Sequence, residues 1–198
     1  MDITREEAEI SIILREMYDR LAKEFNISEE YSVYYCLAPK EEIADGIIRH
    51  DCNEIWIDSG KVKTLHHVVS TMYHEFRHAF QARAFNGKYK HLLADWSEDW
   101  DFYMKYRDEF LCIPELDAKW FGDSQGECRG LVLLDCEEDF YHLLKQDPSQ
   151  LDELNEHTSQ LLLQHFSEKD KPIRFPDLEA KLCKYLPDKS SLEILLGL

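Results

Sequence analysis

The sequence predicts an α+β fold, and three observations carry that prediction. Three short runs rich in β-branched and aromatic residues lie between two longer segments whose apolar residues recur at helical spacing. The second half of the chain keeps the helical spacing, interrupted at prolines. With 198 residues, 44% hydrophobic and 32% charged, the composition is that of a globular chain able to bury a sizeable core.

The first element is a helix over 4–25. Thr4 followed by Glu7 makes a capping box, and Ile10, Ile13, Leu14, Met17 and Leu21 form the stripe that packs on the core. Its polar face mixes both charges, whereas a helix lying on a membrane would be basic there. After a loop over 26–30, Tyr31-Ser32-Val33-Tyr34-Tyr35-Cys36-Leu37 reads as a strand. A connection over 39–45 leads to a hairpin, with strands over 46–50 and 54–58 and the turn Asp51-Cys52-Asn53. Alternation sets Ile55 and Ile57 on one face and Glu54, Trp56 and Asp58 on the other. The expected sheet is small and antiparallel.

A second helix is predicted over 64–84. Leu65, Val68, Val69, Met72, Phe76, Ala79 and Phe80 form a broad apolar stripe. His74 and His78 fall on the other side, with Thr71, Glu75 and Gln81. Residues four apart on a helix are neighbours, about 5–6 Å between Cβ atoms, so two imidazoles can meet one small cation. Glu75, turned by about 100° from His74, can reach a water on that cation without ligating it. His74-Glu75-Phe76-Arg77-His78 is thus the His-Glu-x-x-His pattern of zinc hydrolases, with the glutamate as general base. His67, about 10 Å along the same side, is too far for the same ion. It reads as a solvent-facing histidine, as do His50, His66, His91, His157 and His165.

Asn86-Gly87 closes this helix. The aromatic and acidic stretch over 88–112 is expected to form short helices over a cleft, its aromatic rings mostly filling core. Pro114 opens a further helix containing Glu115, Leu116, Asp117, Ala118, Lys119, Trp120 and Phe121. Helical spacing continues over 128–145, 151–166 and 178–185, broken at Pro148, Pro172 and Pro176. The apolar tail over 192–198 is suited to dock on the body or on a second subunit. The expected organisation is a core over 1–125 and a helical extension over 126–198 packed on it.

The 23 basic and 40 acidic residues leave a formal charge of −17, which repels phosphate backbones and argues against a nucleic-acid partner. No apolar stretch approaches the roughly 20 residues of a membrane span, and the N-terminus lacks the basic start and apolar run of a secretory signal. Cys36, Cys52, Cys112, Cys128, Cys136 and Cys183 form no C-x-x-C pair and read as free, buried thiols. These features point to a cytoplasmic, reduced protein with no membrane partner.

A catalytic zinc takes three protein ligands and keeps one position open. Glu115 is the candidate third ligand, in the first turn of a separate helix after a loop long enough to fold back. Asp117 is the alternative, followed by acids of the preceding loop. His-Glu-Phe-Arg-His-Ala-Phe-Gln (74–81) with Pro-Glu-Leu-Asp-Ala-Lys-Trp-Phe (114–121) resembles the compact gluzincin peptidases, particularly small bacterial and phage-type members. Asn53-Glu54-Ile55-Trp56-Ile57, just before the metal helix, also looks like their hairpin. The resemblance spans 46–121. It implies a zincin-like core, a small twisted antiparallel sheet plus the active-site helix, with His74, His78 and Glu115 as zinc ligands and Glu75 as catalytic base. Many gluzincins carry an acid four positions after the ligand glutamate to buttress a histidine. Lys119 stands there in this chain, and Asp117 is left as the buttress or as the ligand itself.

The chemistry expected is zinc-dependent hydrolysis of peptide bonds in a peptide or protein substrate held along the sheet edge. A second oxyanion donor is expected among His142, Tyr141, Tyr103 and Tyr106. The alternative is a zinc-binding interaction module that keeps the fold without catalysis. Glu75 argues against it, because a structural site needs no general base and usually takes four protein ligands, often cysteine.

Overall fold

The computed structural model describes residues 3–37, 45–86, 113–127, 147, 149, 156 and 171–187. Among them the elements run α1 (Arg5–Glu24), β1 (Ser32–Cys36), β2 (Gly46–Arg49), β3 (Glu54–Asp58), α2 (Leu65–Asn86), α3 (Ile113–Asp123) and α4 (Pro176–Leu182). The architecture is α+β, a three-stranded sheet with helices packed on it.

Helix α1 begins as its sequence dictates. The Thr4 hydroxyl accepts from the Glu7 amide at 3.2 Å, and the Glu7 carboxylate accepts from the Thr4 amide at 2.9 Å. The other oxygen of Glu7 accepts from the Ser59 hydroxyl at 2.6 Å, so the cap also fastens the end of the sheet. That hydrogen bond is the main reason the Glu7 carboxyl sits below its usual pKa.

The sheet corrects one expectation. Strand order is β1-β3-β2, with β2 and β3 antiparallel but β1 and β3 parallel, so the sheet is mixed rather than antiparallel. Residue alternation is the same for both pairings, and the difference lies in where the strands fall. Ile55 and Ile57 are fully buried, so β3 takes the centre and β2 is left at the edge. The hairpin turn ends on Asn53 at φ 54°, a left-handed conformation that asparagine tolerates.

Val33, Tyr35, Ile55 and Ile57 join Ile10, Leu14, Met17 and Leu21 of α1 and Val68, Met72 and Phe76 of α2 in one core. Tyr18, Phe25, Phe76 and Phe121 continue it through ring contacts of 5.4–5.7 Å. Ile173, Leu178, Leu182 and Leu186, from the region read as an extension, belong to the same core. Arg20 binds Asp177 through both oxygens at 2.8 and 2.7 Å, and Lys181 binds Glu16 at 3.0 Å, which holds α4 on α1. The buried Tyr73 hydroxyl donates to the Ile173 carbonyl, tying α2 to the same segment.

No helix among the described residues is long and apolar enough to cross a membrane. Cys36 is a free, buried thiol, whereas Cys52 and Cys183 are free and exposed, contrary to the expectation of burial. The helices expected over 88–112, 128–145 and 151–166, the tail over 192–198, and Cys112, Cys128 and Cys136 lie outside the described residues, Glu156 apart.

Candidate metal centre

Helix α2 starts where Thr64 accepts the His67 amide on its hydroxyl at 3.3 Å. Its apolar stripe faces the core as its periodicity predicts. The opposite side is buried as well, which the periodicity does not reveal: Thr71, Glu75, Arg77 and Gln81 are all buried. Strand β2 covers one flank and α3 the other.

Close approach makes this cover possible. A Cβ on Gly46, at the start of β2, would stand 2.6 Å from Glu75 Oε1 and 2.7 Å from Thr71 Cγ2. A Cβ on Gly122 of α3 would stand 2.7 Å from the Ser70 carbonyl oxygen and 3.3 Å from His74 Cβ. Both approaches need glycine for lack of room, not for an unusual φ. The Ser70 hydroxyl donates to Asp123 at 3.0 Å beside the second crossing.

So packed, α2 and α3 bring His74, His78 and Glu115 together. The His74 and His78 Nε2 atoms are 3.1 Å apart. Each lies 3.4 Å from a different oxygen of Glu115, and one ligand atom from each residue falls within 4.8 Å of the others. Two ring nitrogens at that separation repel unless a proton or a cation lies between them. Donors about 2.0–2.1 Å from a tetrahedral ion sit about 3.3 Å from one another, close to the spacings seen here. The donor set, two imidazoles and one carboxylate, suits a first-row transition ion better than calcium or magnesium, which prefer all-oxygen shells. These residues fit a metal ion.

The electrostatics agree with a cation site. Burial pushes the Glu115 carboxyl up, but hydrogen bonds and charges of the two histidines outweigh it and hold the group well below the carboxylate range. Burial likewise opposes charge on His78, yet Glu115 and Glu75 lift its pKa to about 9. Glu75 behaves differently. Burial raises its carboxyl above the usual value, and the two imidazoles only partly counter that. One carboxylate is therefore held ionised at the histidines while its neighbour is poised to carry a proton.

Asp117, the alternative ligand, faces elsewhere. It is buried, and its two oxygens accept from Arg77 Nε and Nη2, both at 2.7 Å. Arg77 is fully buried, with its guanidinium 4.8 Å from the Phe121 ring centre and 5.1 Å from that of Phe80. Asp117 Oδ2 also accepts from Gln81 Nε2 at 2.7 Å, and Gln81 Oε1 lies 2.9 Å from His78 Nδ1. Asp117 thus reaches His78 through Gln81. Lys119 is exposed.

His67 is partly exposed and pairs with Asp45 at 2.9 Å rather than facing solvent alone. His50 is exposed, but its Nδ1 lies 2.9 Å from the Tyr31 hydroxyl. His66 is exposed as expected. His91, His157 and His165, and the oxyanion candidates His142, Tyr141, Tyr103 and Tyr106, lie outside the described residues. Arg77 and Gln81 stand in the stretch that carries the resemblance but are given no role by it, and Gly46 is not singled out at all. The available signal is the spacing of Arg77 and Gln81, four apart like the two histidines and one step round the helix from them.

Compared with known proteins, the chain matches no family model, no curated protein and no solved structure.

Proposed function

We propose that this protein is a zinc-dependent peptidase with a zincin-like core, cleaving peptide bonds with a metal-activated water and Glu75 as general base. The observation that carries the reading is the meeting of His74, His78 and Glu115 at ligand spacing beside a buried carboxyl, Glu75, whose pKa is raised. A zinc ion held there would supply a bound water with a pKa near 7 and would polarise the scissile carbonyl.

The chain's own groups do the rest. Glu75 would take the proton from the attacking water and hand it to the leaving amine, a shuttle that suits a carboxyl whose pKa burial raises. His74, His78 and Glu115 would hold the ion, and three protein ligands are the number a catalytic zinc takes. Among the described residues strand β2 is one edge of the sheet, the one that touches Glu75 at Gly46, so an extended peptide added to that edge would pass beside the reacting groups. The acidic chain, with a formal charge of −17, favours peptides of neutral or basic character over nucleic acids.

The test joins zinc titration of the full chain with cleavage of a mixed peptide library read by mass spectrometry. About one zinc per chain and cleavage that disappears in Glu75→Gln, with the zinc retained, support the reading. A Glu75→Gln protein that cleaves as fast as the wild type removes the base, and an intact library removes the peptidase.

A further inference from the structure

Gln81 has no role in the chemistry above, although it bridges His78 and Asp117. We infer that Gln81 is the positioning residue of His78: it selects which ring nitrogen His78 offers to the ion, and it ties that choice to the Arg77–Asp117 pair. The inference rests on the reading of His74, His78 and Glu115 as a metal centre.

Asp117, clasped by the Arg77 guanidinium at 2.7 Å through both oxygens, can only accept hydrogen bonds. The Gln81 amide must therefore turn its NH2 group toward Asp117, where Nε2 lies 2.7 Å from Oδ2. The reversed amide would press two oxygens together in a buried site, with no proton to share. With the amide so turned, its oxygen faces His78 Nδ1 at 2.9 Å. An amide oxygen accepts and does not donate, so Nδ1 carries the proton. In the neutral ring that leaves Nε2 bare, on the side where His74 Nε2 and Glu115 Oε1 lie, at 3.1 and 3.4 Å.

The order of control runs from the core outward. Arg77 fixes Asp117, Asp117 fixes the amide of Gln81, and the amide fixes the His78 tautomer. Each link of this chain is a hydrogen bond between side chains and none passes through the ion, so the protein itself can set the orientation of the ligand. Helix α3 acts twice, directly through Glu115 and at one remove through Asp117. Outer partners of this kind commonly govern metal affinity as well as ring orientation.

The experiment uses the full chain, labelled with nitrogen-15 and loaded with zinc. Long-range proton–nitrogen correlation spectra should show His78 protonated at Nδ1 and metal-bearing at Nε2. The opposite pattern overturns the inference on the wild type alone. Gln81→Met, close in length but able to make neither hydrogen bond, should bind zinc about 10–100-fold more weakly in competition with a chromophoric chelator. Its metal-free thermal unfolding should stay cooperative, lowered by no more than the two lost hydrogen bonds, so that a weaker zinc reading reports the site and not a collapsed fold. Equal zinc affinity in the two proteins sinks the role of Gln81 while leaving the metal centre standing. A wild-type chain that takes up no zinc sinks the metal centre itself.

Discussion

Gly46 and Glu75 approach so closely that a single added methyl group would occupy the space of the carboxylate, 2.6 Å from Oε1 and 2.9 Å from Cγ. Of the atoms in the way, the Glu75 carboxylate is the end of a flexible side chain, whereas Thr71 Cγ2 belongs to a stiff β-branched one. Gly46→Ala should therefore displace the carboxylate and also push the start of β2 away from Thr71, 2.7 Å from the new Cβ; β2 lies on the flank of α2 opposite α3, so the three ligands should keep their places. A base moved by about 1 Å loses on the order of 100-fold in rate. Peptide hydrolysis should fall by that amount while zinc affinity changes only a few-fold. Full activity in Gly46→Ala would mean that the Glu75 carboxylate need not stay where it is seen.

The Arg77–Asp117 pair makes the second prediction. Both partners are buried, and Asp117→Ala leaves the guanidinium without its carboxylate in the core. Breaking such a pair costs about 3–5 kcal/mol. Chemical denaturation of the metal-free protein should show a loss of that size. The double variant Arg77→Met with Asp117→Leu should lose less than the two single losses summed, because no lone charge is left behind. A single-variant loss under about 1 kcal/mol would show that the charges are compensated by other groups.

Much of this site was legible in the residues, and for a physical reason. Ligands on one helix must repeat with its turn, so His74 and His78 announce themselves four apart. Glu115, the first-turn acid of a new helix, follows from the need for a third donor. What escaped was which side chains of α2 the other elements cover. Gln81 and Arg77 look like the outward side of an amphipathic helix until α3 and β2 cover that side. The parallel pairing of β1 escaped because alternation is identical in either direction. The role of Asp117 could not be separated from that of Glu115, since two acids two residues apart are equivalent until Arg77 is known to be buried beside one of them.

Protonation gives the third prediction. In the metal-free protein His78 has a pKa of about 9, above its ordinary 6.5, because Glu115 and Glu75 outweigh its burial. A group raised in this way stabilises the fold fully below about pH 6.5, and that contribution is lost as pH rises through about 9. Metal-free thermal stability should therefore decline over that window, all other groups equal, whereas the zinc-loaded chain should not share this decline. Zinc must also displace the proton. Calorimetry at pH 7 in buffers of different ionisation enthalpy should report about one proton released per zinc, falling toward none above pH 9. No release at pH 7 would show that the imidazole is already neutral.

Gly122 tests how closely α3 must lie on α2. In an open helix Gly→Ala stabilises by about 1 kcal/mol. Here the new Cβ would meet the Ser70 carbonyl oxygen at 2.7 Å, a backbone atom that cannot swing aside, and His74 Cβ at 3.3 Å. Overpacking of this kind costs about 1–3 kcal/mol, so it outweighs the gain in helix propensity. The helices should part slightly, and the parting withdraws Glu115 from the two rings, since α3 carries both residues. Gly122→Ala should therefore lower stability and weaken zinc binding together. Gly46→Ala, by contrast, should spare the zinc. A Gly122→Ala chain that gains stability and binds zinc as the wild type does would show that α3 has slack at the crossing, and that Glu115 is held in place by something other than this contact.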